Sequence, residues 1–333
     1  MQREYRIALD QMSEMPPGQV FLIPVIINNC EIPDISVGTV NFLSLQWVDY
    51  AKEGLFGLVD FFRNDSRRRN SNLTHRNDNQ IHVDNTADFI NAIGSDRTII
   101  LSPGDYVVSD AKSTFKSNVY FHQAFDGPSI IVKGVSNLSI IGETSRSTRF
   151  IVWPQYADVL KFEGCDQILI SNLYMGHEPD RGSCTGNVLS IEKSKNVFVK
   201  HCELFGCGAY GLHFKEVDNF SMSDCLIHGC TYGIMGIRES RELKFSNCEF
   251  SRNKRFDGIK LYHCRDVSYE LCNITENKLE SIFNIVSSGL IRMSKGFISQ
   301  NQAERDCNDP DMVVIEDVSM DNNRFEVTRL RTR

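Results

Sequence analysis

Several things are missing from this sequence, and each absence excludes something. No stretch has the long apolar run of a membrane helix, so a membrane partner is not expected. The opening residues MQREYRIALD are charged and amphipathic, unlike the apolar core of a secretory signal. Positive charge is in deficit: 36 Lys and Arg stand against 43 Asp and Glu, a formal charge of −7. That balance argues against a general nucleic-acid binder. With no export signal, the eleven cysteines are expected as reduced thiols in the cytoplasm. What remains is 333 residues, 41% of them hydrophobic, enough for one large or two smaller cores.

The strongest positive signal is a repeat. Segments starting at Asn196, Asn219, Glu242, Asp266 and Leu290 follow one another in steps of 23, 23, 24 and 24 residues. Each opens with two alternating apolar residues: Val197 and Val199, Phe220 and Met222, Leu243 and Phe245, Val267 and Tyr269, Ile291 and Met293. Such alternation marks a short strand with one buried face. A small residue follows at a fixed offset, as Cys202, Cys225, Cys248, Cys272 and Gly296. A second column reads Cys207, Cys230, Asn253, Asn277 and Asn301. A third pairs Gly211-Leu212, Gly233-Ile234, Gly258-Ile259 and, more loosely, Ser281-Ile282.

A fixed step of this size means a solenoid, whose coils bury their apolar faces only against their neighbours. Equivalent residues then stack about 4.8 Å apart. The Asn column is expected to form an amide ladder. The Cys columns are expected inside as small apolar residues. Cys202/Cys207 and Cys225/Cys230 have a spacing that zinc can use. The columns continue as Asn and Gly, however, so no metal is expected.

These repeats resemble the right-handed parallel β-helix, the pectate-lyase-like fold, from residue 81 to about 325. Before them, IHVDNTADFINAIGSDRTIILSPGDYVVSD opens the domain with a helix-like piece at Ala87–Ile93, a strand at Thr98–Leu101 and a Pro103-Gly104 turn. The resemblance implies that this helix caps the first coil. Asn137, Gln167 and Asn196 are equivalent, with longer steps that carry inserted loops.

Residues 1–63 read differently. A helix is expected at 2–14, a buried strand in VFLIPVII (20–27), a shorter strand at 43–50 and a second helix at 54–62. The blocks QREYRIALD, GQVFLIPVIINNCEIP and LQWVDYAKEGLFGLVDFF resemble the C-terminal half of a bacterial TIR domain. The resemblance implies TIR–TIR self-association. In a complete domain it also implies NAD as a substrate, with Glu4 at the catalytic position; no other cofactor is implied. The family's earlier strands and loops do not precede Glu4, so Glu4 reads equally as a carboxylate at a helix start. Residues 64–80 are a polar linker and 326–333 a polar tail. The expected fold class is therefore mainly β, a parallel β-helix preceded by a partial α/β segment.

Parallel β-helix enzymes work on polysaccharides laid along an outer sheet face, and the resemblance carries that expectation here. Tyr210, Tyr232, Asp257 and Glu280 stand just before the Gly column, and His213, Met235, Lys260 and Phe283 just after it, pointing outward. Asp257, Glu280, His213 and Lys260 are the catalytic candidates, and Tyr210 and Tyr232 the stacking ones. The insertion GHEPDRGSCTGNVLSI adds His177 and Arg181 as ligand-binding candidates and Cys184 as a nucleophile or ligand. An ordinary mixed surface accounts for the same residues. Neither the three-Asp set of polygalacturonases nor the acidic calcium cluster of pectate lyases is present. The expected function is recognition of a glycan or other extended ligand in a bacterial TIR-linked sensing or defence protein. Polysaccharide turnover, NAD hydrolysis and a structural role are the alternatives.

Overall fold

The computed structural model describes residues 80–331, apart from 111–116, 145–146, 179–184 and 207–208, together with four two-residue strands nearer the N-terminus. The chain divides into two compact units, Met1–Asp78 and Asn79–Arg333. In the first unit Val25–Ile26 pairs in parallel with Val48–Asp49, and Ser36–Val37 pairs antiparallel with Val40–Asn41. The first pair lies inside the two runs read as strands. The helices read at 2–14 and 54–62, Glu4 and most of the linker lie outside the described residues.

The second unit is a parallel β-helix. Each coil visits three sheets in turn. The first has ten strands, among them Leu160–Glu163, Leu189–Glu192, Tyr210–Lys215, Gly233–Arg238, Asp257–Tyr262 and Lys278–Val286. The second also has ten, including Lys195–Lys200, Asp218–Ser223 and Arg241–Ser246. The third has eight short ones, including Glu203–Phe205 and Leu226–His228.

The alternating residues read from the sequence face inward on the second sheet. Val197, Phe220, Leu243, Val267 and Ile291 form one stacked column, and Val199, Met222, Phe245, Tyr269 and Met293 another. All ten are at most 2% exposed. Burying each such side chain contributes roughly 1.5–3 kcal/mol before entropy is counted. Phe245 and Tyr269 lie face to face, centroids 4.7 Å apart.

The corners repeat as strictly as the strands. Between first and second sheets Lys193, Glu216, Glu239, His263 and Ser287 have φ of 48–58°. Between second and third sheets Asn172, His201, Asp224, Asn247, Leu271 and Lys295 have φ of 50–58°. Left-handed backbone is uncommon outside Gly, although Asn, Asp and His enter it more readily than Lys, Glu, Ser or Leu. Here the stacked strands on either side impose it.

Inside, Asn253, Asn277, Asn301 and Asn323 form the amide ladder. The backbone N–H and Nδ2 of each donate to Oδ1 of the next at 2.9–3.0 Å. The Nδ2 groups also donate to the carbonyls of Ile227, Phe250, Ile274 and Ile298. Cys230 begins this column by donating its N–H to Asn253 Oδ1; Cys207 lies outside the described residues. Cys202, Cys225, Cys248 and Cys272 are buried free thiols. Each donates to the carbonyl two residues before it. Burial pushes the Cys225 thiol up, and the neighbouring sulfur together with burial does so at Cys272, so both stay protonated.

At the start, the helix Thr86–Ala92 is capped by Asn85, whose Oδ1 accepts from the Asp88 N–H. It buries Phe89 edge-on against Phe150. The end is closed too. The buried Asp306 carboxylate accepts the N–H groups of Arg329 and Leu330, and Leu330 is 6% exposed. The segment read as a polar tail is thus fastened to the last coil. One departure from parallel order occurs: Val119–Gln123 runs antiparallel to Pro128–Lys133 as a hairpin.

Candidate functional site

Backbone register fixes which residues share a column on the first sheet. Tyr210 is opposite Gly233, Gly233 lies one coil from Asp257, and Asp257 is opposite Ser281. His213, Gly236, Lys260 and Asn284 form the next outward column. Met235 and Phe283, expected to point outward, are instead in the core with Leu212 and Ile259, at 0% exposure. Tyr232 and Glu280 lie one residue outside the Tyr210–Asp257 column, at the turn edge with Phe256. The slip arises because neither Gly233 nor Ser281 is the equivalent of Gly211 and Gly258; Ile234 and Ile282 are. A shift of one residue moves a side chain to the other face.

The two outward columns make a shallow site. The Tyr210 ring lies on two glycines of the next coil: a Cβ at Gly236 would sit 3.0 Å from the ring, and one at Gly233 3.1 Å from it. Burial, and then the Asp257 charge, push the Tyr210 phenol up. The Asp257 carboxylate accepts from Asn284 Nδ2 at 2.7 Å and has Lys260 Nζ at 3.6 Å. Asn187 donates its N–H and Nδ2 to Asp158 and accepts the Tyr210 N–H.

His213 is set apart from Asp257 by two coils, about 10 Å at sheet spacing. Burial pushes its pKa down despite Asp158 and Glu192 nearby, so the ring is neutral at pH 7. Next to it in the column, Ser190 is 1% exposed and its Oγ has no partner. Glu280 is exposed. The structure thus unites Asp257 with Lys260 and leaves His213 and Glu280 elsewhere.

His177 is not a surface ligand group. It is 2% exposed, with Nε2 on the Ala157 carbonyl at 2.8 Å and Nδ1 unpartnered. It ends a third-sheet strand, two residues after the buried Met175 and opposite the buried Val152, so alternation turns it inward. Arg181 and Cys184 lie outside the described residues.

Burial pushes the His177 pKa down, against weaker opposing pulls from the Ala157 carbonyl, Asp158 and Asp126. Below about pH 6.5 the unfolded chain takes up a proton that the folded ring refuses, so stability falls as pH drops. His177→Gln keeps a donor for Ala157 and is expected to flatten this slope, read from urea midpoints between about pH 7.5 and about pH 5.5. An unchanged slope would show that His177 is not the group responsible; His213 acts with the same sign and remains.

Among the described residues no three His, Cys, Asp or Glu side chains converge where an ion could sit. No helix among them is long and apolar enough to cross a membrane. A separate open groove of about 460 Å³ runs along the corner of the second and third sheets, past Glu203, Asp224 and Glu249. Two of its carboxylates are engaged, Glu203 by His228 at 2.8 Å and Asp224 Oδ1 by Asn247 at 2.6 Å, while Asp224 Oδ2 is buried without a partner.

The family model for the right handed beta helix region matches residues 130–326. The chain belongs to that family. This β-helix is similar in fold to a protein of Geobacillus virus E2, with 12% identity, TM-score 0.46, and 87% of this chain and 64% of that one covered. It therefore spans less than two thirds of the viral protein. It is also similar to pectin methylesterase from Erwinia chrysanthemi (9% identity, TM-score 0.47, 74% and 90% covered). A further likeness is to alginate lyase from Paenibacillus sp. (9%, 0.40, 77% and 98%). Comparison of the sequence with curated proteins gives no match. At such identities the likenesses concern the β-helix fold and not what it binds.

Proposed function

We propose that the outward face of the first sheet binds an extended polymer, and that this polymer is a polysaccharide. One observation carries the reading: Tyr210 lies on Gly233 and Gly236, with Asp257 next along the column held by Asn284 and Lys260, and with His213 in the neighbouring column. An aromatic face next to carboxylate, amide and imidazole groups suits sugar rings and their hydroxyls. Parallel coils offer these groups at one residue per coil, a spacing suited to a repeating ligand. A reaction on this face is the second reading, with His213 and Asp257 as its candidates. Binding is favoured because Asp257 is already engaged by Asn284 and lies two coils from His213.

The N-terminal blocks QREYRIALD and GQVFLIPVIINNCEIP extend the proposal: the β-helix is the recognition half of a TIR-linked sensing protein. Binding is tested by affinity electrophoresis and calorimetry on a polysaccharide panel. Tyr210→Ala is expected to weaken binding about tenfold, near the upper end for one aromatic contact, with a fall in melting temperature from the packing lost over Gly233 and Gly236 but with folding retained. Equal affinity in the variant would remove this face from the function.

A further inference from the structure

The hairpin at the start of the first sheet ends in a ring that packing does not explain. Phe125 is 90% exposed. Its position is nevertheless fixed. The Asp126 carboxylate accepts the N–H groups of Gln155 at 2.6 Å and Tyr156 at 3.1 Å. Ala124 N–H donates to the Gly127 carbonyl at 2.9 Å. Pro154 packs where any Cβ on Gly127 would stand, 2.3 Å from its Cγ. These contacts tie the hairpin to the adjacent turn and set Phe125 edge-on to Tyr156, centroids 5.4 Å apart.

A second pair stands farther along the same edge. Tyr232 and Phe256 meet edge-on at 5.1 Å, and Phe256 is 43% exposed. Backbone hydrogen bonds run along the edge from Gln155 through Gly186 and Ala209 to Tyr232. The nearest rings of the two pairs, Tyr156 and Tyr232, are thus three coils apart, about 14 Å at sheet spacing.

The charges on the face give the second half of the argument. Lys133 meets Glu163 at 2.8 Å, Lys161 meets Glu192 at 2.7 Å, and Lys260 meets Asp257 at 3.6 Å. Lys215, Arg238 and Arg305 lie 3.6–3.7 Å from Glu216, Glu239 and Glu304. Lys278 and Arg324, toward the far end of the sheet, stand outside this pairing, as does Arg255, whose guanidinium lies 5.9 Å from the centroid of the Tyr232 ring. Such exposed pairs add little stability, but each cancels its own field. A polyanion needs uncompensated positive potential to be drawn in and held. The Phe125–Tyr156 pair stands beside the Asp126 carboxylate rather than beside such a charge, and the chain as a whole is negative.

Resting on the reading of this face as a polysaccharide site, we infer that its ligand is an uncharged glycan whose ring faces stack on the Phe125–Tyr156 and Tyr232–Phe256 pairs. The ligand must extend over several sugar units to touch both.

The test is affinity electrophoresis in gels containing neutral polymers (xyloglucan, galactomannan, mixed-linkage β-glucan) or polyanions (polygalacturonate, alginate), at physiological ionic strength. Neutral polymer is expected to retard the protein and polyanion is not. Phe125→Ala and Phe256→Ala are each expected to weaken retardation about tenfold, with the double variant near background. Both rings face solvent, so thermal melts should be unchanged. Retardation by polyanion alone, untouched by the two variants, overturns the inference and leaves the polysaccharide face standing. Retardation by neither class, with Tyr210→Ala indistinguishable from the parent, removes both.

Discussion

Asn277→Ala is expected to destabilise the β-helix by about 3–5 kcal/mol, read as a large fall in urea midpoint and melting temperature. The reasoning is a count of orphaned groups. Asn277 is 0% exposed. Its Oδ1 accepts both the N–H and the Nδ2 of Asn253, and its Nδ2 donates to Phe250 and Asn301. Alanine leaves two donors on Asn253 without an acceptor, and the carbonyl of Phe250 and Oδ1 of Asn301 each lose a donor. Water cannot reach any of them without opening the coil. Each buried orphan costs about 1–3 kcal/mol, and relaxation recovers part of the sum. Asn323→Ala, at the open end of the ladder, is expected to cost markedly less. Equal losses at the two positions would mean that the ladder is not cooperative. Unfolding a stack of coils need not be two-state, so melting should be followed by more than one probe.

Gly233→Ala is expected to be as damaging, for a steric reason. Gly233 has φ of 140°, and a Cβ there would sit 2.1 Å from the backbone oxygen of Asp257. Backbone cannot yield as a flexible side chain can, so the strand pairing between these coils must shift. A loss of roughly 3 kcal/mol or more, or failure to fold, is expected. Gly236→Ala provides the contrast. Its Cβ would come nearest to the Tyr210 ring, at 3.0–3.3 Å. That variant should fold, lift Tyr210 and weaken polymer binding. If Gly233→Ala folds with parental stability, the close approach of these coils is wrong, and the seat of Tyr210 with it.

The solenoid was legible because each inward column repeats one kind of residue. Val197 through Met293 read as stacked strands, and Asn253, Asn277 and Asn301 as a ladder. Asn323 was missed because the flanking pattern fades after Asn301. The outward columns were less legible. Gly211, Gly233 and Gly258 look alike in sequence, yet two lie against the core and one beneath Tyr210. Only hydrogen-bond register separates them. The left-handed corners left only a partial signal: Asn172, Asp224 and Asn247 are of the types that enter that conformation most readily, whereas Lys193, Glu216 and Leu271 do not favour it. The hairpin did leave a trace: Asp126-Gly127 sits between the runs VYFHQ and PSIIV, a recognised turn dipeptide between strands. That dipeptide places Phe125 at the tip of the hairpin.

The coil also acts as a unit of length. The two aromatic pairs are separated by whole coils, so their distance changes only in steps of about 4.8 Å. Duplicating or deleting one coil between them would retune the protein to a longer or shorter ligand segment without altering either pair. The fold is in effect a molecular ruler, graduated in coils.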